Sequence, residues 1–473
     1  MSKNKLIFLP FVALVFCFGN CKKTPVQQTE QIQATAWHTS ANGSVLLQQQ
    51  NNPVLFNGIG NDVDPTINVD TVTTYQTIDG FGYTLTGGSA ELIHQMDAPA
   101  RNNLLHELFG NGSNAIGVSY LRISIGASDL SREVFSYDDM PAGQTDVSLN
   151  HFNLAQDTQH LIPVLQEIMA INPTIKILGS PWSAPVWMKD NGSSIGGRLQ
   201  SQYYAVYAQY FVKYIQAMNA KGINIDAITI QNEPENPLNN PSMVMTSAEQ
   251  AAFIGQALGP AFQTAGIHTK IIIYDHNCDH PNYPIEVLSD NLSRPYIDGS
   301  AFHLYVGDIS AMSSVRSAFP TKNIYFTEQW TGANGSFSGD LMWHMRNVII
   351  GSMRNSAKTV LEWNLASDAS YQPHTPGGCS ECKGALTITG SWYGKNVAYY
   401  IIAQASKFVP SGSVRIASNW INELPNVAFK TPDGKKVLLV MNETTSSKNF
   451  NIKFNNQYAQ TQIPASTVSV YVW

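Results

Sequence analysis

Between residues 76 and 363 the chain repeats short runs of apolar or β-branched residues, at 76–81, 118–124, 176–180, 227–231, 270–274, 300–305, 323–327 and 359–363. Several are apolar at nearly every position, as strands buried on both faces are. Amphipathic stretches lie between them. In residues 203–221, Tyr203, Tyr207, Tyr210, Phe211 and Tyr214 recur at spacings of three and four, the repeat of one helix face. A last helical stretch covers residues 395–408. Eight strands alternating with helices predict an α/β fold, a (β/α)8 TIM barrel. The competing doubly wound open sheet would carry a glycine-rich phosphate turn after its first strand. Gly80-Phe81-Gly82 lacks the later glycine and the acidic partner of such a turn.

After residue 411 the period changes to two. Runs at 414–417, 427–430, 436–441, 448–454 and 467–473 alternate and are separated by turn residues such as Pro432-Asp433-Gly434. They predict an appended β-sandwich, with N-terminal runs at 44–48 and 66–73 supplying further strands. The expected organisation is a signal peptide at 1–21, a polar Gln/Asn-rich tether at 22–52, N-terminal sandwich strands at 53–74, a catalytic barrel at 75–410 and a C-terminal sandwich at 411–473.

The first 21 residues indicate a compartment. Two lysines precede an apolar run at 6–18, too short to span a bilayer comfortably. It ends at Phe18-Gly19-Asn20-Cys21, similar to a bacterial lipoprotein cleavage box, so Cys21 is the expected lipidation site. The expected location is the bacterial periplasm or outer-membrane surface, with the membrane reached only through the lipid anchor. An ordinary secretory signal is the alternative. In an oxidising compartment Cys379-Ser380-Glu381-Cys382 more readily closes a small disulfide than carries redox or metal chemistry. Zinc held by this pair and His374 lacks a suitably spaced fourth ligand. The polar run Asp275-His276-Asn277-Cys278-Asp279-His280 reads as cleft residues at a strand end rather than as a metal cluster. Neither metal nor cofactor is expected.

Composition changes this picture little. The chain is 43% hydrophobic and 13% charged, with a net charge of −6 and no long basic run, which argues against nucleic acid. Its 20 tyrosines and 9 tryptophans suit a ligand that is flat and rich in hydroxyls, such as a sugar. The expected partner is a polysaccharide or glycoside substrate, taken by a monomer.

The chemistry falls at strand ends, where barrel catalysts sit. The fourth run ends in Gln231-Asn232-Glu233-Pro234 and the seventh in Phe326-Thr327-Glu328-Gln329. Glycoside hydrolysis needs one carboxyl to protonate the leaving oxygen and another to attack or stabilise the anomeric carbon. Glu233 and Glu328 lie three strands apart in an eight-strand ring, placed to face each other. Arg122 can hold a carboxylate ionised, or serve as a structural ion pair. Trp182 and Trp363 are candidate sugar platforms, and His303 and Tyr305 alternate onto one strand face.

Taken in order, Ile78-Asp79-Gly80-Phe81-Gly82, Ser180-Pro181-Trp182, Gln231-Asn232-Glu233-Pro234, His303-Leu304-Tyr305, Phe326-Thr327-Glu328 and Trp363-Asn364-Leu365 resemble glycoside hydrolase family 30. The resemblance runs from about Tyr75 to the C-terminus. It implies a retaining mechanism, with Glu233 as acid/base and Glu328 as nucleophile, the carboxyls about 5–5.5 Å apart. It also implies that Asn232 contacts the sugar 2-hydroxyl, that Trp182 and Trp363 shape the −1 subsite, and that Tyr305 and Arg122 flank the nucleophile. One departure is visible. Members resembling lysosomal glucosylceramidase carry an Asp after the Thr of the first-strand loop, whereas Thr86 is followed here by Gly87. Recognition of the −1 sugar is therefore expected from elsewhere. The loop resembles bacterial members that cut β-1,6-glucan, so endo-β-1,6-glucanase is the expected activity. Glucosylceramidase, an exo-acting β-glucosidase or β-xylosidase, and a non-catalytic glycan-binding lipoprotein are the alternatives.

Overall fold

The computed structural model describes residues 1–3, 5–7, 9–11, 13 and 31–473. Cys21 and residues 22–30 of the expected tether lie outside the described residues. No helix among the described residues is long and apolar enough to cross a membrane.

Eight parallel strands close into a barrel: β1 (Gly80–Thr84), β2 (Tyr120–Ser124), β3 (Lys176–Ser180), β4 (Ala227–Thr229), β5 (Lys270–Cys278), β6 (Ile297–Gly307), β7 (Asn323–Glu328) and β8 (Ala357–Glu362). The ring shuts where β8 pairs with β1, Thr359 opposite Gly80 and Glu362 opposite Tyr83. A side chain on Gly82 could not be accommodated, because its Cβ would lie 1.8 Å from the Tyr120 carbonyl oxygen of β2.

Strand alternation fills the barrel in layers. Tyr120, Leu178, Ala227, Ile272, Ala301, Tyr325 and Leu361 pack together as an apolar plug. Two residues further along the same strands, Arg122, Ser180, Thr229, His303 and Thr327 point to the same side, and all are buried. The plug and the helices outside supply the hydrophobic stability. The polar layer above the plug carries the chemistry.

The first barrel strand starts later than its expected run at 76–81. Gln76 and Thr77 instead finish a long sandwich strand, Thr66–Thr77, before Ile78 and Asp79 turn the chain into the barrel. Periodicity alone cannot divide one β-rich segment into two strands belonging to different sheets. The sandwich contains a ten-stranded sheet and recruits more of the N-terminus than expected. Gln33–Ser40, assigned by pattern to the tether, pairs along its length with Thr467–Val472. The expected strand at 44–48 is instead mostly a turn leading into a two-residue strand, Gln48–Gln49. Gln457–Ile463 also forms a strand that the pattern missed. Its alternate positions are polar and amide-rich, a composition that reads as loop.

In Lys436–Asn442, Leu438 and Val440 enter the sandwich core. Val437, Leu439 and Met441 face the other way and pack into the barrel's hydrophobic cluster. The two domains therefore share one strand as a wall. Because Gln33–Ser40 covers the edge of Thr467–Val472, a chain starting at residue 52 should melt at lower temperature than one starting at residue 31. Equal midpoints in a thermal scan would show that the N-terminal strand contributes nothing.

Candidate active site

The polar layer is organised around Asp275, a carboxylate that the sequence reading left as an unassigned cleft residue. Tyr274 and Asp275 have φ of 73° and 61°, a left-handed backbone that non-glycine residues adopt only under local constraint. Asp275 is fully buried. Its Oδ2 accepts from Arg122 Nη2 at 2.8 Å, Ser180 Oγ at 2.7 Å and Thr229 Oγ1 at 2.8 Å. Its Oδ1 accepts from Thr327 Oγ1 at 2.6 Å and faces His303 Nε2 at 3.0 Å. Burial pushes Asp275 up, but Arg122, His303 and Thr327 hold it well below the usual carboxylate range. Surrounded by donors, Asp275 is an anion, and Nε2 of His303 therefore carries a hydrogen.

Arg122 joins this anion to Glu328. Its Nη1 donates to Glu328 Oε2, and its Nη2 donates to Asn232 Oδ1 at 2.6 Å. The second oxygen of Glu328 accepts from Tyr305 Oη at 2.9 Å. Burial raises the Glu328 carboxyl, opposed by His303 and Arg122. Because each oxygen faces a donor, the carboxylate is the form that these hydrogen bonds accommodate. Asn232 accepts through its oxygen, which leaves its –NH2 end for a ligand.

Glu233 stands just beyond β4 with φ of 47°, its N–H donating to the Asp275 carbonyl at 3.0 Å. Its Oε1 lies 3.2 Å from His303 Nδ1 and 3.9 Å from His276 Nδ1. Asn236 and Asn239 donate to Oε2 at 2.8 and 3.3 Å. Burial raises Glu233, but His303, His276 and Asn236 outweigh it and bring it to about 2. Burial lowers His303, while Glu328, Asp275 and Glu233 together hold it at about 9. Both shifts describe one proton on the His303–Glu233 bond, resting on the imidazole in the free site. An oxygen of Glu233, an oxygen of Glu328 and a ring nitrogen of His303 lie within 4.8 Å of one another. The two carboxyls therefore face each other across one small space, close enough for both to act on a single glycosidic bond. The same three groups could meet a cation, but His303 Nδ1 and Glu233 Oε1 are hydrogen-bonded to each other and Glu328 Oε1 accepts from Tyr305.

Trp182 and Trp363 stack on each other with ring centroids 5.3 Å apart, and Trp182 lies 4.8 Å from the Arg122 guanidinium carbon. Only 1% and 3% exposed, they form a wall of the site rather than an open platform. Together with Asp129, Asn236, Asn239, Asn277, Trp330 and both joined cysteines, they line a cavity of about 320 Å³ that holds Glu233, Tyr305 and Glu328. Of the eight barrel side chains expected at the site, Trp182, Glu233, Tyr305, Glu328 and Trp363 line this cavity, and Arg122, Asn232 and His303 lie behind it, bonded to the glutamates or to each other. Cys278 is a buried free thiol, and His280 pairs with Glu235 at 2.9 Å, outside this cluster.

The sequence reading missed Asp129, in the loop after β2. It lines the same cavity as Glu233 and Glu328. Thr86 and Ser89 are engaged with Asn364, at 3.2 and 2.8 Å. Burial, followed by repulsion from Glu328, raises Asp129 to about 7, so it can donate or accept near neutrality.

Breaking a buried ion pair by removing one partner typically costs about 3–5 kcal/mol, whereas replacing the whole pair with apolar groups can be neutral. A charged layer above an intact apolar plug is thus retained for what it does. Asp275→Asn should lower kcat/KM at least about 10²-fold by releasing the His303 tautomer, with far-UV circular dichroism unchanged. An unchanged rate would remove Asp275 from this role. His303 is raised on folding, so its stabilisation is complete below its ordinary value of 6.5 and is lost as pH climbs through about 9. The thermal-midpoint advantage of the native chain over His303→Asn should shrink across that window. A constant difference would contradict the assignment.

Comparison with known proteins identifies both domains. The glycosyl hydrolase family 30 TIM-barrel domain model matches residues 78–409, and the family 30 β-sandwich domain model matches residues 412–470. The chain is 36% identical over 395 residues to endo-1,6-β-D-glucanase neg1 of Aspergillus fumigatus, covering 78% of each chain. It is 35% identical over 444 residues to an endo-1,6-β-D-glucanase of Neurospora crassa, covering 89% of this chain and 90% of that one. The solved structure of the endo-β-1,6-glucanase BT3312 is 34% identical, with a TM-score of 0.86 over 93% of this chain and 99% of the other.

Proposed function

The chain belongs to glycosyl hydrolase family 30, and we propose that this retaining glycosidase is an endo-acting β-1,6-glucanase with Glu328 as nucleophile and Glu233 as acid/base. The observation that carries the role assignment is the unequal set of partners around the two carboxyls. Glu328 faces a guanidinium and a phenol, which suit a resting anion. Glu233 shares a proton with an imidazole, which suits a group that must give and then take one. Glu328 attacks the anomeric carbon as the proton held by His303 passes through Glu233 to the departing oxygen. Forming the glycosyl ester removes the Glu328 charge, the strongest of the influences that hold the His303 proton. Loss of that charge is what lets the imidazole give up its proton, so the glycosyl-enzyme holds a neutral His303 and an ionised Glu233. Water next attacks the ester, Glu233 takes its proton, and the returning Glu328 charge draws that proton back to His303, restoring the starting state.

Asn232 is positioned to donate to the 2-hydroxyl of the bound sugar, and Asp129 to hold hydroxyls on its far side. The β-1,6-glucan assignment is supported by similarity extending over both domains to enzymes with that name. The lipid anchor at Cys21, with a place in the cell envelope, is part of the same proposal. A surface-tethered hydrolase meets polysaccharide directly.

Glu328→Gln should abolish turnover, while Glu233→Ala should keep measurable activity on aryl glucosides whose leaving group needs no proton. The reverse pattern would exchange the two roles. On pustulan, a β-1,6-glucan, early products should be oligosaccharides. Glucose alone would indicate exo action, and activity confined to glucosylceramide would refute the glucan assignment. Cys21→Ala should move the protein from the membrane fraction to the soluble fraction. Unchanged fractionation would exclude a lipid anchor.

A further inference from the structure

The segment from Thr375 to Lys383 does more than close a small ring. Thr375 donates through its N–H to the Asp129 carbonyl at 2.9 Å and through its hydroxyl to the Asn240 carbonyl at 2.5 Å. Gly378 rests against Asp129 so closely that a Cβ there would lie 2.3 Å from the Asp129 carbonyl oxygen. The Cys379 N–H reaches the Asp129 carboxylate at 3.4 Å. The Glu381 carbonyl accepts from Ala333 at 2.8 Å, and Cys382–Lys383 pairs with Thr331–Gly332 beyond β7. The Cys382 carbonyl accepts from Asn364 beyond β8 at 3.4 Å. One short segment therefore ties together the loops that follow β2, β4, β7 and β8. Its disulfide joins residues only three apart, so it closes a loop too small to withdraw much entropy from the unfolded chain. Yet the two cysteines face the cavity and pack with Trp182, Trp330 and Trp363.

We propose that the Cys379–Cys382 disulfide is a positioning element of the sugar subsite, which holds the Asp129 carboxylate and the indole wall in their substrate-binding arrangement. It acts on binding more than on chemistry, because none of its contacts reaches Glu233 or Glu328. The inference rests on the reading of this cavity as the sugar site. A dithiol reductant would deliver two electrons and two protons, giving two thiols and its own disulfide. The turn at 379–382 would then keep its shape only through hydrogen bonds to the loops around it.

The test compares the native protein with Cys379→Ala/Cys382→Ala on β-1,6-linked gluco-oligosaccharides. The expected result is a rise in KM of about tenfold or more with kcat little changed, the pattern of lost binding common to ground and transition states, and a nearly unaltered thermal midpoint. Unchanged KM would overturn the proposal. So would a fall in thermal midpoint large enough to account for the lost activity. If the double variant does not fold, dithiothreitol treatment of the folded native protein followed by reoxidation gives the same reading. KM should rise and then recover, and a KM indifferent to reduction would overturn the proposal. Labelling of Glu328 by a 2-deoxy-2-fluoro glucoside separates the two levels. Labelling with unchanged KM removes only the disulfide's role, whereas absence of label in the native protein removes the site reading itself.

Discussion

A single buried carboxylate sets the terms for the rest of the site. Asp275 lies above the apolar plug of the barrel, reached by side chains from β2, β3, β4, β6 and β7. An isolated anion there would be strongly disfavoured. It is tolerated because five donors converge on it, and that convergence fixes them in return. Arg122 is held at an angle from which its other nitrogen meets Glu328. His303 is held in the tautomer that leaves Nδ1 for Glu233. Two carboxyls on opposite sides of the ring thus receive different surroundings from one shared counter-charge.

That difference is the chemical content of the fold. A pair of glutamates in equivalent surroundings would titrate together and divide no labour. Here one faces fixed donors and the other shares a movable proton with His303, so only one of them can relay a proton. The three left-handed residues nearby, Glu233, Tyr274 and Asp275, are the backbone cost of bringing these groups into the same few ångströms. The cost is met by the barrel itself, whose closed hydrogen-bonded ring and apolar plug tolerate local strain.

The outer rim follows a different logic. The charged layer is built from strands, whereas the surroundings of the sugar are built from loops that share little sequence proximity. Asp129, Asn240, Thr331 and Asn364 come from four such loops and meet through the segment at 375–383. The sandwich contributes at longer range, since Lys436–Asn442 serves as a wall of both domains.

The eight-unit rhythm, the paired glutamates and the aromatic and polar residues around them were legible because each depends on local pattern: apolar period, strand-end position, motif order. The N-terminal strand Gln33–Ser40 was not legible, because its polar composition becomes a strand only when Thr467–Val472 lies beside it. Asp129 and the reach of Asp275 were not legible either, since an acid in a loop acquires meaning only from what lies opposite. The roles of Trp182 and Trp363 changed from open platform to stacked wall for the same reason. Sequence alone determined which residues could perform the chemistry, because covalent identity and strand periodicity are local. Tertiary structure decided which of them share a counter-charge, a proton or a wall, because those relations depend on distances between segments far apart in the chain.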